Sequence, residues 1–106
     1  RPDDSEAWNN KGAALGNLGR YQDALQAYEK AIELKPDDSE VWNNKGAALN
    51  SLGRYPEAVQ AFEKAVELSP KLYVAWINKG MALQSLGRLK EAREAWQRAR
   101  ELGFKE

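Results

Sequence analysis

Neither cysteine nor histidine occurs among the 106 residues. Without cysteine there are no disulfides, no thiolate metal ligands and no thiol nucleophile, and the sequence carries no mark of its redox compartment. Without histidine the commonest general base and the commonest transition-metal ligand are missing too. Most hydrolytic and zinc chemistries thereby lose their usual apparatus, so the chain is read as a non-enzyme with no cofactor and no metal. An excess of charge is also absent, since 16 lysines and arginines balance 16 aspartates and glutamates. Nothing in that balance recommends nucleic acid or an anionic membrane as a partner. No apolar run approaches the roughly 20 residues of a membrane-spanning helix, and no signal-peptide pattern opens the chain. A soluble protein is expected, with the cytoplasm as its default location, although no residue pattern names a compartment.

What the chain has in abundance is itself. "PDDSEAWNNKGAAL" at residues 2–15 returns as "PDDSEVWNNKGAAL" at 36–49. A shift that carries residue 5 onto 39 and 39 onto 73 divides the chain into three repeats, 5–38, 39–72 and 73–106. The first two agree at 23 of 34 positions. "RPDD" at 1–4 matches "KPDD" at 35–38, so it reads as the tail of a preceding repeat or as a leader. The chain is expected to be a fragment of a longer array, or a designed chain that borrowed a linker.

Each repeat has two amphipathic halves. Ala7, Trp8, Leu15 and Leu18 recur at helical spacing in the first, and Tyr21, Ala24, Leu25, Tyr28, Ala31 and Ile32 in the second. Between them "LGR" supplies the glycine that favours a left-handed helix end. Pro56 suits the first turn of a second helix, where its missing N–H costs nothing. Asp37 with Glu40, and Asp3 with Glu6, have capping-box spacing.

This unit of helix, tight turn and helix resembles the tetratricopeptide repeat family across essentially the whole chain. The resemblance rests on Trp8, Gly12, Ala24, Tyr28, Ala31 and Pro36; on Trp42, Gly46, Ala58, Phe62, Ala65 and Pro70; and on Trp76, Gly80, Ala92, Trp96 and Ala99. Departures are Lys11, Lys45 and Lys79 where the family favours Leu, Leu15, Leu49 and Leu83 where it favours Tyr, and Phe104 at the third Pro position. The implied fold is all-α, a right-handed α-solenoid of three helix-turn-helix repeats.

Elementary packing accounts for the shared positions. A helical glycine costs about 1 kcal/mol relative to alanine, so Gly12, Gly46 and Gly80 require a close neighbour, for which the small surface at Ala24, Ala31 and their equivalents is the candidate. Tyr28, Phe62 and Trp96 are expected to fill the space between one helix pair and the next. About three repeats are the usual minimum for a stable stack. Arg93 and Arg100 replace Leu25 and Ile32 at equivalent positions, which suits a terminal cap facing water or, on a functional reading, a seat for an acidic partner.

The resemblance implies a partner along the concave face lined by first helices. The inward positions are Glu6, Asn9, Asn10, Ala13 and Asn17, then Glu40, Asn43, Asn44, Ala47 and Ser51, then Val74, Ile77, Asn78, Met81 and Ser85. Asn10, Asn44 and Asn78 hold the same place in every repeat. A carboxamide offers both donor and acceptor and can pair with a peptide backbone whatever its side chains. The row is similar to the asparagine ladder in the repeat arm of the O-linked N-acetylglucosamine transferase. The other reading is that these amides make local polar contacts between helices, or were copied with the repeat. The Lys and Asn clamp that related domains use for chaperone C termini would fall on Asn9, Ala13, Asn44, Val74 and Asn78, of which only Asn44 matches. Lys11, Lys45 and Lys79 are expected to lay their stems over apolar surface, or else to form a basic row beside the groove. Val74, Ile77 and Met81 give the groove an apolar end. The function expected is protein–protein interaction through an extended peptide in the groove, with Glu6 and Glu40 adding weak selectivity. The alternative is a structural spacer that self-associates end to end through its N-terminal edge.

Overall fold

The computed structural model describes residues 4–103. Asp3, Phe104 and residues 1–3 of the expected leader lie outside the described residues. Six helices succeed one another: α1 (Ser5–Asn17), α2 (Tyr21–Leu34), α3 (Ser39–Ser51), α4 (Tyr55–Leu68), α5 (Tyr73–Ser85) and α6 (Leu89–Glu101). They form three antiparallel pairs, and the described residues contain no strand.

The turn inside each pair is set by its glycine. Gly19, Gly53 and Gly87 have φ of 77°, 75° and 77°, a region closed to most side chains. That conformation lets the Arg20 N–H reach the Leu15 carbonyl at 2.9 Å and the Gly19 N–H reach the Gly16 carbonyl at 3.0 Å. The two bonds close a Schellman motif, repeated at Arg54 and Arg88. Each second helix then opens on an arginine that grips an acid three residues on. Arg54 does so with two bonds to Glu57, at 2.8 and 2.7 Å. Pro56 sits in the first turn of α4.

The N-caps correct the sequence reading by one residue. Asp38, not Asp37, caps α3, its Oδ1 accepting the Glu40 N–H at 3.1 Å; Asp4 does the same for Glu6 at 2.9 Å. A short aspartate side chain reaches the amide two residues on, and the helix starts where that bond is made. At α5 the position is Leu72, and no side chain caps the helix.

The helical glycines also have a different neighbour from the one expected. A Cβ on Gly46 would stand 2.5 Å from Cε1 of Phe62, and one on Gly12 2.5 Å from Cε1 of Tyr28; at Gly80 the neighbour is the Trp96 indole. A flat ring from the second helix, rather than the alanine surface, occupies the notch. Each aromatic thus seats within its own pair, and Tyr28 also reaches the cleft toward the next pair. Burial raises the Tyr28 pKa above the ordinary phenol value. Alanines Ala24, Ala58 and Ala92, all fully enclosed, let the paired helices close up behind the rings.

Stacking joins the pairs into one core. A continuous apolar cluster runs from Leu25 through Val41, Leu49 and Phe62 to Leu83 and Ala92, crossing both repeat boundaries. First helices approach one another, α1 to α3 and α3 to α5, whereas among the described residues no second helix approaches the next. The stack is therefore tighter on the side of α1, α3 and α5. Its extents are 42 × 25 × 22 Å. No described helix is long and apolar enough to cross a membrane.

Candidate functional site

The face lined by α1, α3 and α5 is built from residues that the first helices do not bury in their own pair. Between α1 and α3 it holds a cleft of about 270 Å³ lined by Ala13, Asn17, Tyr21, Asn44, Ala47 and Ser51, among others. Five of the expected inward positions, Ala13, Asn17, Asn44, Ala47 and Ser51, meet there. Tyr21 and Gly16 join them unforeseen; Tyr21 opens the second helix, and an aromatic at that turn was the only available hint.

The asparagines meet in a pattern that differs from the predicted row. Asn44 Nδ2 donates to Asn9 Oδ1 at 3.0 Å, and Asn78 Nδ2 donates to Asn43 Oδ1 at 3.1 Å. Links run from the first asparagine of one repeat to the second asparagine of the next, so same-numbered amides are not each other's partners. Successive first helices are offset along the stack, and the residue facing Asn44 is one position earlier than Asn10. All four amides are half-buried. Each donating carboxamide keeps its Oδ1 and a second N–H for another partner. Asn10 is exposed, and its carboxamide makes no hydrogen bond with a described residue.

The other predicted positions scatter around this row. Glu6 and Glu40 are exposed, their backbone N–H groups held by the N-cap aspartates. Val74 and Met81 are 40% and 47% exposed. Ile77 is half-buried, and its carbonyl accepts the Trp96 indole N–H at 3.3 Å. Having no amide, it ends the asparagine row at α5.

Lysines 11, 45 and 79 lie away from the cleft. Each ammonium stands over the tryptophan one turn earlier, at 5.0, 5.2 and 5.3 Å from the ring centre, a cation–π distance. Lys45 also pairs with Glu29 at 3.7 Å and Lys79 with Glu63 at 3.5 Å, each glutamate belonging to the preceding second helix. The tryptophans in turn tie their helices to the linker before them, Trp42 Nε1 donating to the Pro36 carbonyl at 2.8 Å and Trp76 Nε1 to the Pro70 carbonyl at 2.9 Å.

Antiparallel helix pairs stacked in succession, with amides linking the first helices, define a helical-repeat solenoid. Models of the tetratricopeptide repeat match residues 9–72 and 49–105. The chain belongs to the tetratricopeptide repeat family. It is similar to the Arabidopsis OM64 TPR domain, with 30% identity and a TM-score of 0.92 over 93% of this chain and 82% of that one. The TPR2B domain of yeast Sti1, solved as a pHsp70 complex, is 28% identical with a TM-score of 0.91 over 92% of this chain and 78% of that one. Over 35 residues the chain is 54% identical to the peroxisomal targeting signal receptor of Eremothecium gossypii. That match covers 33% of this chain and 6% of the receptor.

Proposed function

We propose that the chain is a protein-interaction module that holds an extended peptide along the face lined by α1, α3 and α5. The observation that carries this is the cleft between α1 and α3, where Asn44 presents an amide already oriented by Asn9 beside the small side chains Ala13 and Ala47. Small residues leave room for a backbone, and a fixed carboxamide offers it a donor and an acceptor. The Sti1 relative, solved with a pHsp70 partner, supports a peptide or protein ligand. The receptor relative carries its matching stretch within a far longer chain, and that is the setting proposed for this module.

The ligand class differs from an acidic chaperone tail. The fifteen inward positions include Glu6 and Glu40 and no lysine or arginine. A carboxylate-rich peptide would find two like charges and no clamp. A neutral or basic peptide with a hydrophobic residue placed toward Val74, Ile77 and Met81 fits better, with Met81 adaptable in shape.

A second reading is a structural spacer with no ligand of its own, associating with copies through its N-terminal edge. It draws on the same hydrogen bonds, since Asn9–Asn44 and Asn43–Asn78 tie neighbouring repeats together. Ala47→Arg separates the two. Ala47 is exposed, so an arginine there fills the cleft without entering the core. On titrating a library of neutral and basic extended peptides, NMR shifts should gather at Ala13, Asn17, Asn44 and Ser51 and vanish in the Ala47→Arg protein. Shifts confined to the ends of the chain would exclude the groove.

A further inference from the structure

The cleft between α1 and α3 has at its base a polar group that no described residue satisfies. Ala24, Tyr28 and Ala48, all buried, form its floor, and Asn17, Ala47 and Ser51, all exposed, form its rim. Tyr28 is 5% exposed, and its hydroxyl makes no hydrogen bond with a described residue. Among the described residues the one side-chain oxygen or nitrogen that is wholly enclosed and unpaired is Asn50 Oδ1. The phenol oxygen therefore keeps an opening, and the space that Tyr28 lines is this cleft. Gly16 beside it adds no bulk, since a Cβ there would meet nothing within 4 Å. All these walls come from α1, α2 and α3, so the cleft belongs to the junction of two adjacent repeats and not to an outer face of the stack.

The equivalent residues elsewhere show what is particular to this place. Tyr28 corresponds to Phe62, which has no hydroxyl, and to Trp96, whose indole N–H is already donated to the Ile77 carbonyl at 3.3 Å. Gly16 corresponds to Asn50 and Gln84. The second repeat thus puts an amide of its own one turn after Gly46, against which the Phe62 ring rests, and the oxygen of that amide finds no donor. The first repeat has the donor and lacks the amide. Burial holds the Tyr28 phenol in its protonated form, and a buried hydroxyl left unpaired is costly enough that an acceptor brought to it recovers free energy. Among the described residues no charged side chain lines the cleft, so an ionised group entering it would lose water without gaining a counter-charge. A carboxamide is neutral, carries the acceptor that the phenol lacks, and has N–H groups for the Asn17 carbonyl and the Ser51 hydroxyl at the rim. Neither of those side chains has a partner among the described residues.

We propose that the cleft is a specificity pocket for a glutamine of the bound peptide, the side-chain carbonyl accepting from the Tyr28 hydroxyl and the N–H groups meeting the rim. The pocket rests on the peptide reading of the face lined by α1, α3 and α5, and it adds which residue the peptide places there. Asn44, fixed by Asn9, holds the backbone beside the pocket, while Tyr28 reads the side chain that enters it.

The probes are acetylated, N-methylamidated peptides of the form Lys-Ala-Ala-X-Ala-Ala-Lys with X as Gln, Leu, Glu or Ala, so that the only primary carboxamide is the one at X. Titrated into the labelled protein and followed by NMR, the Gln peptide should bind about fivefold more tightly than the Leu peptide, the change expected of one hydrogen bond to a buried group, and the Glu peptide no more tightly than the Ala peptide. Tyr28→Phe removes a single oxygen and installs the residue that the second repeat carries at the same place, so the fold is retained. It should abolish the preference for Gln over Leu and leave the affinity of the Ala peptide unchanged, which a merely structural role for the hydroxyl would not do. Gly16→Asn, which installs the second repeat's amide, should abolish the preference as well. Equal binding of Gln and Leu peptides with shifts at Ala13, Asn44 and Ala47, or a preference that survives Tyr28→Phe, would overturn the pocket and leave the groove standing. Absence of shifts at that face with every peptide would defeat the groove reading and the pocket with it.

Discussion

Replacing Gly46 by alanine tests the packing logic of the whole stack, because two effects of known size oppose each other there. Alanine removes the conformational cost of a helical glycine, a gain of about 1 kcal/mol. Against that, the new Cβ would lie 2.5, 2.7 and 2.8 Å from three ring carbons of Phe62, where about 3.5–4.0 Å is comfortable. The ring must retreat by about 1 Å, and Phe62 is fully enclosed, so retreat displaces its neighbours. Overpacking of this kind costs about 1–3 kcal/mol, and full enclosure points to the upper part of that range. The net expectation is a loss of about 1–2 kcal/mol, or about 5–15 °C in Tm for a chain of this size. Gly16 is the internal control: it is helical, and a Cβ there meets nothing within 4 Å. Gly16→Ala should raise stability by up to about 1 kcal/mol. Thermal and urea unfolding followed by circular dichroism would measure both. If Gly46→Ala proved as stabilising as Gly16→Ala, the ring would not be holding that notch, and the account of why glycine stands there would be wrong.

Asn43→Ala removes the acceptor of the Asn78 Nδ2 bond and should cost about 1 kcal/mol; a double-mutant cycle on Asn9 and Asn44 should show coupling of similar size, and additivity would mean the bond is not made. Glu57 and Glu91 have pKa values held below the ordinary carboxylate range, chiefly by hydrogen bonds from Arg54 and Arg88. A folded pKa below the unfolded value of about 4.3 contributes stability that is complete above that value and is lost as pH falls through the lowered one. The urea midpoint should therefore fall as the pH drops below about 5, and less so in the Glu57→Gln/Glu91→Gln protein; identical pH profiles would remove these pairs from the account. Both carboxylates are about half exposed, so the difference should be small and should shrink further in salt.

The three helix pairs were legible because each clue is local. A glycine at fixed distance after an apolar helix closes the same turn three times, and helical spacing needs no knowledge of the neighbour. Reading failed where geometry between elements decides. That Gly46 marks a close approach follows from its cost in a helix, but whether alanines or a phenylalanine ring come close depends on how the paired helices cross. Asp37 and Asp38 are adjacent acids, and only the start of the helix selects between them. Of the candidate site, repetition on one helical face was enough to place Ala13, Asn44 and Ala47 beside one cleft. The Asn9–Asn44 bond was not, since it joins residues 35 apart, one more than the repeat, and that extra residue comes from the offset of stacked helices. The lysines show the same limit. Their stems over tryptophan follow from one helical turn, whereas Glu29 and Glu63 approach only once the repeats stack.

Stability and the proposed recognition share the asparagine row, and this sharing has a consequence for binding. A free asparagine that must be fixed on contact with a peptide loses about 0.5–1.5 kcal/mol of side-chain freedom. Asn44 and Asn78 are fixed during folding, each by one N–H donated to the preceding repeat, so that loss is not repeated when a ligand arrives. The same bonds leave the carbonyl of each amide as the acceptor for a backbone N–H, with one remaining donor beside it. At α5 the row stops, because Ile77 stands where Asn9 and Asn43 do in the earlier repeats, and Val74 and Met81 beside it turn the surface apolar. The proposed groove is therefore unequal along its length: fixed amides stand at Asn44 on α3 and Asn78 on α5, and exposed aliphatic and thioether surface is added only at α5. An extended peptide has direction, and a face with apolar contact at one end only would distinguish its two orientations without a charged clamp.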